Sequence, residues 1–193
     1  MDILYVNWLM TQIKGVVFDR DGTLIQHVAY LSNVADVCIL PGVVDALHIL
    51  KRAGILCFIA TNQSGIGRGF YTEAQYKQIE AYLDRLFDGH GIAFERTYYC
   101  PFHPTEGIGH YLHDSMDRKP NPGMIQRVMS DFNLQPTELV MVGDSGVDIG
   151  AAQKAGVRSV FVTTGVGEGM DVVQPDYRSD SLLDSVQNYI MTL

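Results

Sequence analysis

The stretch Gly15-Val16-Val17-Phe18-Asp19-Arg20-Asp21-Gly22-Thr23 decides how the rest of the chain reads. Val16-Val17-Phe18 is a short, unbroken apolar run, the pattern of a strand buried on both faces. It leads straight into two acids one residue apart. The carboxyl end of such a strand is where open α/β sheets place their chemistry. A carboxylate at the mouth of a dry core can serve both as metal ligand and as nucleophile. If the extended backbone continues, Asp21 faces the same way as Asp19, and the two address one reacting group. Gly22 lets the chain turn sharply beside a ligand. Taken alone, the stretch also fits a strand ending in an acidic turn, because Asp and Gly are ordinary turn residues. Three motifs further along the chain separate the two readings.

Downstream, apolar runs alternate with helical periodicity. Leu24 to Leu40 shows no clean period and reads as a long active-site loop carrying His27, Tyr30 and Asn33. Pro41-Gly42 opens a helix marked by Val43, Ala46, Leu47 and Leu50 and ended by Gly54. Ile55 to Ala60 is a second buried strand, running into the glycine-rich polar loop Thr61 to Gly69. Thr72-Glu73-Ala74-Gln75 has the form of a capping box for a helix to about Phe87. Thr97-Tyr98-Tyr99 is a third strand, and Cys100 to Asp117 a polar loop. Asn121-Pro122 reads as N-cap and first position of the next helix, which runs to about Phe132. Leu139 to Val142 is a fourth strand, followed by a helix ending at Gly156. Ser159 to Val162 is a fifth strand, and Leu182, Leu183, Val186 and Ile190 mark a last helix. Alternation of this kind predicts a parallel sheet covered on both faces. Residues 13–193 read as one domain, preceded by a 1–12 extension in which Met10 is an alternative start to Met1.

The chain has 193 residues, 47% hydrophobic and 19% charged, so it can bury an ordinary core. Its formal net charge of −8 argues against nucleic acid or an anionic membrane surface as partner. It also means that an anionic substrate needs a local cationic pocket or a metal ion. The three cysteines, Cys38, Cys57 and Cys100, do not read as a disulfide framework. No stretch approaches the roughly 18 apolar residues of a membrane span, and the N-terminus lacks a basic n-region. The expected setting is cytoplasmic, with a monomer as the default.

Four motifs fall at the ends of predicted strands or in the loops after them: Asp19-x-Asp21-Gly22-Thr23, Thr61-Asn62-Gln63, Lys119-Pro120 and Gly143-Asp144-x-x-x-Asp148. Each is weak alone; together and in this order they are specific. From Ile13 to Ile190 the sequence resembles the haloacid-dehalogenase superfamily of phosphatases, whose first motif is Asp-x-Asp-Gly-Thr. The resemblance implies a Rossmann-like three-layer α/β sandwich with a parallel sheet. It also implies phosphate-ester hydrolysis with Mg²⁺, which takes hard oxygen ligands. On the matching residues, Asp19 would attack phosphorus and, with Asp144, bind the metal through carboxylates; Asp21 would bind it through its carbonyl. Asp21 would protonate the leaving oxygen and then deprotonate water. Thr61 and Lys119 would hold the transferring group. Gly22 and Thr23 support the first motif. Asp148 would orient Lys119 or a metal-bound water, or is simply an acid in the first turn of a helix.

A closer resemblance is carried by Asp19-Arg20-Asp21-Gly22-Thr23, Thr61 to Gly69, Tyr98-Tyr99-Cys100-Pro101 and Arg118-Lys119-Pro120-x-Pro122-Gly123-Met124. These are similar to the D-glycero-D-manno-heptose 1,7-bisphosphate phosphatases, with the histidinol-phosphate phosphatases as near relatives. That subfamily lacks a large cap domain, and this chain is too short to hold one. The resemblance implies a small phosphorylated sugar as substrate. Arg20, Asn62, Gln63, Arg68, Arg118 and His27 are its candidate contacts; solvated surface arginines and an idle histidine are the competing readings for Arg68, Arg118 and His27. Histidinol phosphate or another small ester is the alternative substrate, and a catalytically silent binding protein the alternative class. A dehalogenase has no use for Asp21. One departure stands out. The subfamily binds a structural zinc through Cys-x-His and Cys-x-Cys, where this chain reads Cys100-Pro101-Phe102 and Ser115-Met116-Asp117. No structural zinc is therefore expected, and the 100–117 loop is expected to be held by packing of Phe102, Tyr111, Leu112 and Met116.

Overall fold

The computed structural model describes residues 13–193; the extension read over 1–12 and the alternative start at Met10 lie outside it. In chain order the elements are β1 (Gly15–Phe18), α1 (Val43–Arg52), β2 (Leu56–Asn62), α2 (Ser64–Gly67), α3 (Glu73–Asp88) and β3 (Arg96–Cys100). They continue with α4 (Gly123–Phe132), β4 (Leu139–Gly143), α5 (Gly146–Ala155), β5 (Arg158–Val162), β6 (Tyr177–Ser179) and α6 (Leu182–Asn188). The strands form one sheet in the order β3-β2-β1-β4-β5-β6, with every pairing parallel. Alternate residues feed opposite layers, as a period of two requires. Val16, Phe18, Val140 and Val142 pack with residues of α1, α3 and α6; Val17, Leu139 and Met141 pack with residues of α4 and α5. The layers are those expected, and the described residues hold no large cap domain.

β1 has β2 on one side and β4 on the other. The chain therefore builds outward from β1 to β3, then returns to β1's other side to build β4, β5 and β6. That reversal is a topological switch point, which leaves a crevice at the carboxyl ends of β1 and β4. Asp19 and Asp144, the residues immediately after those two strands, meet there.

Local signals act as their chemistry demands. Thr72 Oγ1 accepts from Gln75 N–H at 3.2 Å, and Gln75 Oε1 accepts from Thr72 N–H at 2.9 Å, closing the capping box of α3. Gly156 ends α5 at φ 73°, where a side chain would be strained. Three expectations need correction. The first helical residue of α4 is Gly123, with Pro122 as cap; Asn121 Nδ2 instead donates to the Ser115 carbonyl at 3.0 Å. The polar loop after β2 contains the single-turn helix α2. The 24–40 segment does line the crevice, as expected, through residues 27–31, and an Ile25–Ile39 bridge pins its base. The sixth strand, β6, has no long β-branched run to announce it. It is an edge strand whose approach is fixed by Asp176, which accepts from Ser159 N–H at 2.7 Å and Ser159 Oγ at 2.8 Å.

The 100–117 loop departs from the packing expected of it. Phe102 does pack against Tyr111 and His113, tilted to the first and edge-on to the second, with ring centroids 6.1 and 5.4 Å away. Leu112 and Met116, however, are 53% and 61% exposed. Hydrogen bonds hold the loop beside the packing of Phe102 and Tyr111, a His103–Leu112 bridge among them. Arg118 Nη1 donates to the Phe102 carbonyl at 3.3 Å, and Asp117 N–H donates to Ser115 Oγ at 3.1 Å.

Candidate active site

The crevice at the switch point is a cavity of about 560 Å³. Asp19, Asp21, Thr61, Lys119, Asp144 and Asp148 line it, together with Arg20, His27, Asn62, Gln63, Arg68 and Arg118. Residues a hundred positions apart converge because each follows, or lies near, the carboxyl end of a central strand. Thr61 and Asn62 are the last residues of β2, while Asp148 sits in the first turn of α5.

Lys119 is the centre of the arrangement. It is buried, and its Nζ donates to Asp19 Oδ1 at 2.5 Å, to Asp148 Oδ1 at 2.6 Å and to the Ala60 carbonyl at 2.7 Å. Its backbone is fixed by Asn62, whose amide donates to the Lys119 carbonyl at 2.9 Å and accepts from Lys119 N–H at 3.0 Å. Asp148 fills both roles its position allows. Oδ1 takes the lysine, and Oδ2 accepts from Ser145 N–H at 3.1 Å and Ser145 Oγ at 2.6 Å, capping α5. Close packing makes this possible: a Cβ on Gly143 would lie 2.3 Å from Asp148 Cβ. One on Gly22, at φ +90°, would lie 2.5 Å from Asp144 Oδ2.

Three buried carboxylates face one ammonium, and this sets how they titrate. Burial, joined by the like charges of Asp148, Asp144 and Asp21, holds the Asp19 carboxyl up at about 8 against the pull of Lys119. Burial also lifts Asp144 to about 6, with Asp148 adding to it and the Val166 N–H opposing it. For Lys119 burial works downward, but Asp148 and Asp19 outweigh it and raise its pKa. One ammonium leaves the three carboxylates short of positive charge. One oxygen from each of Asp19, Asp144 and Asp148 lies within 4.8 Å of the others, a hard-oxygen set that fits a small divalent cation. Thr23 Oγ1, in the same motif as Asp19, is buried with no hydrogen-bond partner.

Asp21 sits in a different network. It accepts from Arg20 Nε at 3.0 Å and from Gln63 Nε2 at 3.0 Å. Gln63 Nε2 also donates to Thr61 Oγ1 at 2.8 Å, and its amide is oriented by Tyr71, whose hydroxyl donates to Gln63 Oε1 at 2.6 Å. Arg20 borders the cavity, yet its guanidinium is engaged by Asp21 and lies 5.7 Å from the Tyr76 ring centre. Tyr71 carried no motif signal; its role comes from folding over Gln63. The 163–169 strap after β5 was likewise silent in the sequence. Its Val166 N–H donates to Asp144 Oδ2 at 3.0 Å, and Thr164 Oγ1 donates to the Gly22 carbonyl at 2.6 Å.

Comparison with known proteins agrees with this geometry. Residues 116–189 match a family model described as "HAD-hyrolase-like". The D-glycero-beta-D-manno-heptose-1,7-bisphosphate 7-phosphatase of Haemophilus influenzae is 37% identical over 175 residues, covering 89% of this chain and 94% of that protein. This chain belongs to the haloacid-dehalogenase-like phosphatases. Within that family, the Haemophilus ducreyi protein named for the same activity is 41% identical, covering 79% of this chain and 84% of its own. Among solved members, the D,D-heptose 1,7-bisphosphate phosphatase from B. bronchiseptica, complexed with magnesium and phosphate, superposes with a TM-score of 0.80. It is 26% identical, over 94% of this chain and all of that one. As a member of this family the protein is a phosphoric monoester hydrolase. Among the described residues no helix is long and apolar enough to cross a membrane.

Proposed function

We propose that this phosphatase removes the 7-phosphate from D-glycero-D-manno-heptose 1,7-bisphosphate through a phosphorylated Asp19. The observation that carries the chemistry is the buried Lys119, which grips Asp19 by one oxygen only. Oδ1 is taken by Nζ, while Oδ2 has no hydrogen-bond partner among the described residues and is the oxygen that attacks phosphorus. A new phosphorus–oxygen bond forms at Asp19, and the bond to the sugar oxygen breaks. Asp21 gives that oxygen a proton, then takes one from the water that hydrolyses the aspartyl phosphate. In the arrangement described, Asp21 only accepts hydrogen bonds, which matches the second, base half of the cycle. Thr61 keeps its own hydroxyl proton to donate to a phosphoryl oxygen, since it accepts from Gln63. Mg²⁺, held by the carboxylates of Asp19 and Asp144 and the Asp21 carbonyl, would supply positive charge opposite the phosphoryl oxygens.

The choice of substrate rests on the family relatives and on charge at the far rim. Arg68 and Arg118 both border the cavity and suit a second phosphate. Phosphate release should be measured with Mg²⁺ on the heptose bisphosphate, on heptose monophosphates and on histidinol phosphate. The bisphosphate should give the highest kcat/KM. A tenfold preference for histidinol phosphate would reverse the assignment.

A further inference from the structure

Arg68 sits at the C-terminal cap of α2 and is held from several directions. Its Nε lies 2.8 Å from Glu106 Oε2, and its Nη1 donates to the Tyr30 hydroxyl at 2.8 Å. Its guanidinium carbon lies 5.4 Å from the Tyr30 ring centre and 5.0 Å from that of Phe70. Those two rings are 4.0 Å apart. Tyr30 adopts φ 54°, a left-handed backbone costly for a tyrosine and kept only where the surroundings impose it. Arg68 lines the cavity and Glu106 does not, so the pair joins the cavity wall to the turn outside it.

The turn that carries Glu106 is itself anchored. Glu106 N–H donates to His103 Nδ1 at 3.0 Å, and Ile108 N–H donates to the Gly67 carbonyl at 2.8 Å, tying the loop to α2. A Cβ on Gly107 would lie 2.3 Å from the Tyr111 carbonyl oxygen, so the turn packs tightly on its own far side. The second rim arginine, Arg118, holds the same loop through the Phe102 carbonyl.

We infer that Glu106 is a positioning residue for substrate choice: by occupying Nε of Arg68 it aims the remaining terminal N–H groups into the cavity beside Arg118. The inference rests on the bisphosphate reading above. A guanidinium presents its donors in a rigid fork, so fixing one edge orients the other. Without that fix, a long side chain loses rotamer freedom each time it binds an anion. Glu106 is 54% exposed at its side chain, so its value lies in orientation rather than in raw stability. The stacked Tyr30 and Phe70 complete the clamp.

Steady-state kinetics test this, with wild type run first on the heptose bisphosphate and on a monophosphate. Glu106→Ala should raise KM for the bisphosphate roughly fivefold while kcat falls less than twofold, and the monophosphate KM should shift much less. Glu106→Gln, whose amide oxygen takes the place of the carboxylate oxygen beside Nε, should restore KM to within about twofold of wild type. A KM ratio unmoved by Glu106→Ala, or a lower bisphosphate KM in that variant, overturns the inference; the second result makes Glu106 a charge screen. A fivefold rise that Glu106→Gln does not rescue also overturns it. Wild type showing no preference for the bisphosphate sinks the substrate reading, and the inference with it; a clear wild-type preference with an unmoved Glu106→Ala sinks the inference alone.

Discussion

Lys119 Nζ and Asp148 Oδ1 lie 2.6 Å apart, joining the loop before α4 to the first turn of α5 at the buried wall of the cavity. This contact, with the matching one to Asp19, makes Lys119 a structural counter-ion as well as a member of the proposed catalytic site. Removing one partner of a buried ion pair strands the other charge. Lys119→Met should therefore abolish turnover and, in EDTA, cost about 3 kcal/mol of stability by urea unfolding. Saturating Mg²⁺ should recover part of that loss. A metal-free Lys119→Met protein as stable as wild type would contradict the counter-ion role.

The covalent mechanism is checked at Asp19 and Asp21. Asp19→Asn keeps the shape and should fold, with turnover falling to near background. Asp21→Asn should slow alkyl phosphates far more than aryl phosphates, whose leaving groups need little protonation. Equal losses on both classes would remove Asp21 from the role of general acid.

Stability should depend on pH through the carboxylate cluster. Asp19 is raised from 3.8 to about 8 and Asp144 from 3.8 to about 6. Between those values the folded state binds more protons than the unfolded one. The stabilisation is therefore complete below the unfolded pKa and is lost as pH rises through the folded pKa. In EDTA the cluster should lower the urea midpoint from about pH 5 to pH 8. His103, lowered by burial and by Arg118, works the other way near neutrality, so the slope is read against Asp19→Asn. Wild type should lose more stability over the interval than that variant. Mg²⁺ needs ionised carboxylates and should bind more tightly as pH rises through the same interval. Identical slopes in the two proteins would show that Asp19 does not carry the extra proton.

The second phosphate should be read at Arg118. Arg118→Ala should cost more in kcat/KM on the heptose bisphosphate than on a monophosphate, by roughly tenfold for a lost charge-assisted contact. Equal losses would place Arg118 outside the recognition of the second phosphate.

Protein purified without added metal should carry no stoichiometric zinc. Cys100 is buried, and Phe102 offers no lone pair. Ser115 Oγ accepts from Asp117 N–H, and the Asp117 carboxylate is 2.8 Å from Arg127 Nη1. A structural zinc wants four soft or borderline ligands with an oriented outer shell. His103, His110 and His113 lie in the same loop, and about one zinc per chain by elemental analysis, lost with stability on chelation, would show that they have rebuilt a site.

By itself the sequence determined the layers and which residues gather at the crevice. Val16-Val17-Phe18 and Leu139 to Val142 are buried on both faces, so their apolar runs announce central strands wherever the rest of the chain goes. Asp19, Asp144, Thr61 and Lys119 were legible because each sits at a fixed offset from such a strand or in a loop after one. Capping residues such as Thr72 act within a few positions and need no partner from afar. The tertiary structure decided what depends on long-range approach. The Tyr71 hydroxyl orienting Gln63, the 163–169 strap reaching Asp144, and Glu106 beside Arg68 join separate segments, and no local pattern encodes such a meeting. The same reason hid β6, whose three residues become a strand only because β5 offers an open edge. It also decided the 100–117 loop, where apolar residues were visible but Leu112 and Met116 stay exposed, and hydrogen bonds from Arg118 and Asn121 help to hold the chain.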